Sequence, residues 1–96
     1  MTREGLLHEA EDMSLEILVS GVAATLTTGA FVPQALHIIR HKETRAISLI
    51  MYVAFATGVG FWLLFGVLID NWPIIVSNAI TLALALAIIA LKLKYG

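Results

Sequence analysis

The chain contains no cysteine, only two prolines and little charge: of its 96 residues 14% are Asp, Glu, Lys or Arg, against 59% hydrophobic. Without cysteine there are no disulfides, no thiolate metal sites and no cysteine nucleophile. No basic run is present and the formal net charge is −1, so there is no electrostatic ground for a nucleic-acid partner. The histidines His8, His37 and His41 have no spacing that would assemble a metal site or a triad. Neither an enzyme nor a bound cofactor or metal is expected. Charge is also missing in a pattern: three long stretches carry none away from their ends. A soluble domain is about 45–50% apolar, and helices without a polar face do not make a water-soluble bundle. With a mean hydropathy of +0.92, the chain reads as an all-α integral membrane protein.

Residues 1–14 form a polar arm. Glu4, Glu9, Glu11 and Asp12, followed by Glu16, face Arg3 as the lone cation, opposite to the basic start of a secretory signal, so no cleaved segment is expected. Leu6, Leu7, Ala10, Met13 and Ile17 recur at helical spacing, which fits an amphipathic turn or two leading into the membrane; a frayed arm is the plainer reading. Residues 15–96 make one membrane domain with spans at about 15–39, 47–69 and 73–91, each able to cross roughly 30 Å of hydrocarbon. Arg40 to Arg45 form a short, mostly basic connection. Asp70, Asn71 and Trp72 make a tight turn reachable from the opposite side, with Pro73 in the first turn of the third span, where it costs no hydrogen bond. Gly21, Thr25 and Gly29, and again Ala79, Ala83 and Ala87, recur at four-residue spacing and offer surfaces for close helix packing. The cations of the first connection and of the tail (Lys92, Lys94) must share a side, which the positive-inside rule assigns to the cytoplasm, leaving the N-terminus outside.

Phe31-Val32-Pro33-Gln34 interrupts the first apolar run. Pro33 lacks an N–H and crowds the Gly29 carbonyl, so the helix must kink or loosen there. In a bilayer it can continue if neighbours satisfy the freed group, and Thr25, Thr27 and Thr28 lie just upstream. A bend beside a polar residue, Gln34, suggests a hinge; the alternative is a static bend. Trp62 and Asn78 fall at the same depth on antiparallel neighbours, about 9–12 Å below the outer surface. An indole face and a buried amide together suit a neutral, hydroxylated, partly apolar ligand such as a sugar. Each also has a packing explanation, a helix–helix hydrogen bond for Asn78 and a lipid-facing or core aromatic for Trp62. Tyr52 reads as an aromatic-belt residue or an inner gate. With no intramembrane carboxylate, proton-coupled transport is not expected.

Pro33-Gln34, then Lys42-x-Thr44-x-x-Ile47-Ser48, then Trp62, then Asn71-Trp72-Pro73-Ile74 leading to Asn78, resembles the bacterial SemiSWEET sugar transporters of the PQ-loop superfamily. The resemblance covers residues 15–95. It implies a parallel homodimer of two triple-helix bundles in the bacterial cell membrane, with a mono- or disaccharide held between subunits by Trp62 and Asn78. It also implies facilitated diffusion by alternating access, with Pro33 as hinge and Phe31 closing the inner side. At the outer end some relatives gate with a tyrosine and an Arg/Asp pair, where this chain has Phe65, Ile69 and Asn71, so Phe65 is the gate candidate there. Independently of any resemblance, three helices packed around side chains leave no lumen wide enough for a hexose, which calls for a second copy. The competing readings are a small membrane assembly or accessory subunit, and a PQ-loop transporter of another small solute.

Overall fold

The computed structural model describes the backbone of residues 3–96 and the side chains of residues 14–96. The contacts expected of Leu6, Leu7, His8, Ala10 and Met13 fall outside the described side chains. Three helices account for nearly all of the described chain: α1 Arg3–His41, α2 Leu49–Leu68 and α3 Trp72–Tyr95. Each contains a stretch long and apolar enough to cross a membrane.

Local chemistry sets the boundaries. The second helix begins at Leu49 and not at Ile47, because Ile47 N–H turns back to the Thr44 carbonyl (3.1 Å) and Ser48 Oγ caps the helix by accepting from Met51 N–H (3.3 Å). Asn71 caps α3 in the same way, accepting from Ile74 N–H at 3.2 Å. The third helix continues past Leu91 to Tyr95, with Lys92 and Lys94 in its last turn, where cations suit the carbonyl end of a helix. Both α1 and α2 end on a left-handed residue that is not glycine, Lys42 (φ 55°) and Asp70 (φ 54°). Each permits the reverse bond of a Schellman cap, from Glu43 N–H to the Ile38 carbonyl (3.1 Å) and from Asn71 N–H to the Gly66 carbonyl (2.9 Å).

The middle layer is α3, which packs against both other helices. Small residues make the close approaches: Ala35, Ala56, Gly66, Ser77 and Ala85 are buried, with Val59 and Ile88 filling between them. At Gly66 a Cβ would lie 2.7 Å from Ile74 Cγ2 and 3.2 Å from the Ile75 backbone nitrogen, so only glycine fits under the start of α3. The two stripes singled out in the sequence lie largely outside the closest packing within the chain, with Gly21 and Ala87 half-buried. A Cβ at Gly21 or Gly29 would meet nothing within 4 Å, and Ala79 and Ala83 are exposed. Large apolar side chains such as Leu26, Ile50, Phe61 and Leu68 also point outward, as lipid-facing residues do.

The helix ends sort by charge. Lys92 Nζ donates to the Arg45 carbonyl (3.3 Å), and Lys42 and Lys94 both sit over the Tyr95 ring, at 5.1 and 5.3 Å from its centroid. The basic connection and the basic tail therefore occupy one end of the bundle, and the Asp70 turn occupies the other.

Candidate functional site: a neutral groove beside the central helix

A groove of about 710 Å³ runs between α1 and α2 with α3 as its floor. Ser20, Thr27, Phe31 and Gln34 line it from α1, Phe55, Val59 and Trp62 from α2, and Ile74, Ser77, Asn78 and Thr81 from α3. None of the lining residues is charged. At one end α1 and α2 meet through Phe31 and Phe55, whose ring centroids are 5.7 Å apart, with Tyr52 edge-on to Phe55 at 6.1 Å. At the other end Ser20 Oγ and the Asn71 amide are joined, Nδ2 donating at 3.1 Å.

The structure brings Trp62, Asn78, Phe31 and Gln34 to this one groove. Trp62 is 57% exposed, its ring packed edge-on against Phe65 at 5.8 Å. Asn78 Nδ2 donates to the Ile74 carbonyl one turn back (2.9 Å), leaving Oδ1 and one N–H for another partner. Phe65 lines a separate, shallower depression with Ile69, Asn71 and Leu15, and Tyr52 stands behind Phe55 outside the groove.

Pro33 lies within α1, which continues to His41. The upstream threonines do not serve its freed carbonyl. Thr25 Oγ1 donates to Gly21 O (2.7 Å), Thr27 Oγ1 to Ala23 O (3.0 Å), and Thr28 Oγ1 pairs with Ser77 Oγ on α3. In a helix each hydroxyl reaches most easily the carbonyl three or four residues before it, whereas Gly29 follows all three. Asn71 is the second correction. It is not a surface turn residue but 4% exposed, held by its cap to Ile74 and its bond to Ser20.

Sequence reasoning missed Ser20, Thr27, Ser77 and Thr81. A signal was available: Ser20, Thr27 and Gln34 fall at seven-residue intervals, one polar line along the helix.

Comparison with known proteins places this architecture. The family described as "Sugar efflux transporter for intercellular exchange" matches residues 17–96. The sugar transporter SemiSWEET of Leptospira biflexa is 43% identical over 82 residues, covering 85% of this chain and 96% of that protein. The sugar transporter SemiSWEET of Bradyrhizobium diazoefficiens is 40% identical, covering 82% and 92%. The chain belongs to the SemiSWEET family. Among solved structures, a SemiSWEET in the inward-open conformation superposes with a TM-score of 0.77 at 35% identity, over 83% of this chain and 93% of that one. The three-span fold is thus the SemiSWEET fold, the family is one of sugar transporters, and the protein is integral to the membrane.

Proposed function

We propose that the chain acts as a parallel homodimer that passes a neutral mono- or disaccharide down its gradient by alternating access. One observation carries this: a charge-free groove with an indole on one wall and an amide on its floor, open on the side where α1 and α2 part. A groove open on one side does not enclose a hexose, and a second copy supplies the missing wall. In this reading Trp62 offers an apolar face to the sugar ring, Asn78 pairs with a hydroxyl, and the Phe31–Phe55 contact closes the basic end, with Tyr52 behind it. Phe65 beside Trp62 guards the opposite end. Pro33 with Gln34 is the hinge, and the basic end faces the cytoplasm, with the N-terminus outside.

Uptake of labelled D-glucose and sucrose into liposomes holding the purified chain tests the reading. Exchange is expected without a pH gradient, since the spans hold no carboxylate away from their ends to carry a proton; accumulation driven by a proton gradient alone would overturn it. Trp62→Ala and Asn78→Ala each remove about 1–3 kcal/mol of contact, so affinity falls by roughly one to two decades while the dimer survives. Pro33→Ala restores the hydrogen bond to Gly29 and stiffens α1. Retained sugar binding with depressed flux is the expected result, because switching and not contact is impaired. The accessory-subunit reading draws support from the bond of Asn78 to its own helix, and gains if the Asn78 variant binds sugar like the parent.

A further inference from the structure

The four hydroxyls that line the groove, on Ser20, Thr27, Ser77 and Thr81, divide by whether the oxygen already has a partner on another helix. Ser20 Oγ accepts from Asn71 Nδ2 (3.1 Å) while its own hydroxyl reaches the Ile17 carbonyl (3.2 Å), and Ser77 Oγ pairs with Thr28 Oγ1, so both oxygens are engaged between helices. Thr27 Oγ1 donates within its own helix, to Ala23 O at 3.0 Å and Ala24 O at 3.4 Å, and Thr81 Oγ1 donates to Ser77 O at 2.8 Å. A hydroxyl has one proton and two lone pairs. With the proton turned into the helix, each threonine presents only acceptor capacity to the groove. Turning that proton toward the groove would give up the bond to the helix carbonyl, which favours the acceptor role.

We infer that Thr27 on the α1 wall and Thr81 on the α3 floor are specificity-determining residues, each accepting a hydrogen bond from a hydroxyl of a neutral polyol. The inference rests on the groove being the sugar site. It adds a direction: the indole N–H and the Gln34 amide supply donors, whereas the threonines select hydroxyl groups that can donate. A ligand whose oxygen is replaced by fluorine keeps the size and loses the proton, and is rejected at these two contacts.

The test is equilibrium binding of D-glucose and sucrose, with their monodeoxy and monodeoxyfluoro derivatives. It uses the purified full chain and its Thr27→Val, Thr81→Val, Thr27→Ser and Thr81→Ser variants. The valine variants keep the shape without the acceptor and lose about three- to tenfold in affinity, and the serine variants keep it. In the parent, at least one deoxyfluoro derivative binds as weakly as the matching deoxy sugar, and the corresponding valine variant shows no further loss on that derivative. Where a valine variant fails to fold, the alanine variant at that position takes its place on the fluoro series, which separates the threonines from the acceptor Oδ1 of Asn78. Valine variants that bind like the parent, or fluoro derivatives that match the hydroxyl sugar at every position, overturn the inference and leave the proposed function intact. A parent that binds neither sugar overturns both.

Discussion

The two halves of α1 are held differently. Before Pro33, α1 is tied to α3 by two polar rungs, Ser20 to Asn71 and Thr28 to Ser77. From Pro33 to His41 the described polar contacts are local, His37 Nε2 lying 3.4 Å from Glu43 Oε2 and its ring 4.4 Å from that of His41. What flanks the proline is apolar: Phe31 on Phe55 just before it, and the buried Ala35 just after it. Hydrogen bonds have directions and lengths that a sliding helix breaks, whereas ring faces and methyls tolerate small displacements. The difference locates the rigid body: α3 with the first half of α1 and the Asp70 turn. The hinge proposed at Pro33 would move the shorter, basic end against this frame.

The largest expected effect comes from breaking that frame at Gly66. Gly66→Ala sets a Cβ 2.7 Å from Ile74 Cγ2 and 3.2 Å from the Ile75 nitrogen, so the first turn of α3 must move away from α2. Overpacking of this kind costs about 1–3 kcal/mol. A lowered unfolding midpoint in detergent is expected, whereas Gly58→Ala, whose Cβ enters open space, leaves the midpoint unchanged or slightly raised. Equal midpoints for the two variants would mean that the turn end is not the tightly packed one.

Next in size is Asn71→Ala. It removes the α3 cap and the rung to Ser20 together, and cap losses alone run at about 1 kcal/mol. Ser20→Ala removes only the rung and leaves the Ile74 cap in place. The expected order of midpoints is parent, Ser20→Ala, then Asn71→Ala. If Ser20→Ala matches the parent, the rung contributes nothing and the contrast between the halves of α1 rests on Thr28 and Ser77 alone.

Which of these features were legible beforehand follows from their physics. Three apolar runs fixed the fold class, because in hydrocarbon every backbone group must be satisfied within the helix. Trp62, Asn78, Phe31 and Gln34 stood out as polar or aromatic residues in apolar runs, and they line one groove. Asn71 was misread because a turn Asn is ordinarily solvated; its burial depends on α1 reaching across to it with Ser20, a contact 51 residues distant in sequence. Thr27 and Thr81 were not singled out as groove residues because threonines are unremarkable in membrane helices, and only the direction of their hydroxyl bonds distinguishes them. Within the chain the closest packing lies at Gly66 and Ala85, while the regular stripes leave open what covers them, since four-residue spacing marks a face without naming its partner.

The smallest effect sharpens the comparison most, because it uses the same strained backbone at both ends. Asp70 and Lys42 each occupy the left-handed region at φ 54° and 55°. There a side chain with a Cβ costs roughly 1–2 kcal/mol and glycine costs none. Part of that relief is offset by the larger entropy glycine loses on folding, about 0.5–1 kcal/mol. At each site the informative quantity is the split between the glycine and alanine variants, since it cancels whatever the native side chain contributes. At position 70 the conformation is enforced by the Asn71 cap and by the Gly66 carbonyl that receives the Asn71 N–H, so the backbone cannot relax and a split of about 1 kcal/mol is expected. At position 42 the preceding segment is the one that the proposed hinge would move; if it does, the Glu43 N–H to Ile38 bond can lengthen with it, and the split shrinks toward a few tenths. Unfolding midpoints of Asp70→Gly, Asp70→Ala, Lys42→Gly and Lys42→Ala in one detergent give both splits. A larger split at 42 than at 70 would reverse the assignment, making the basic end the frame and the turn end the moving part.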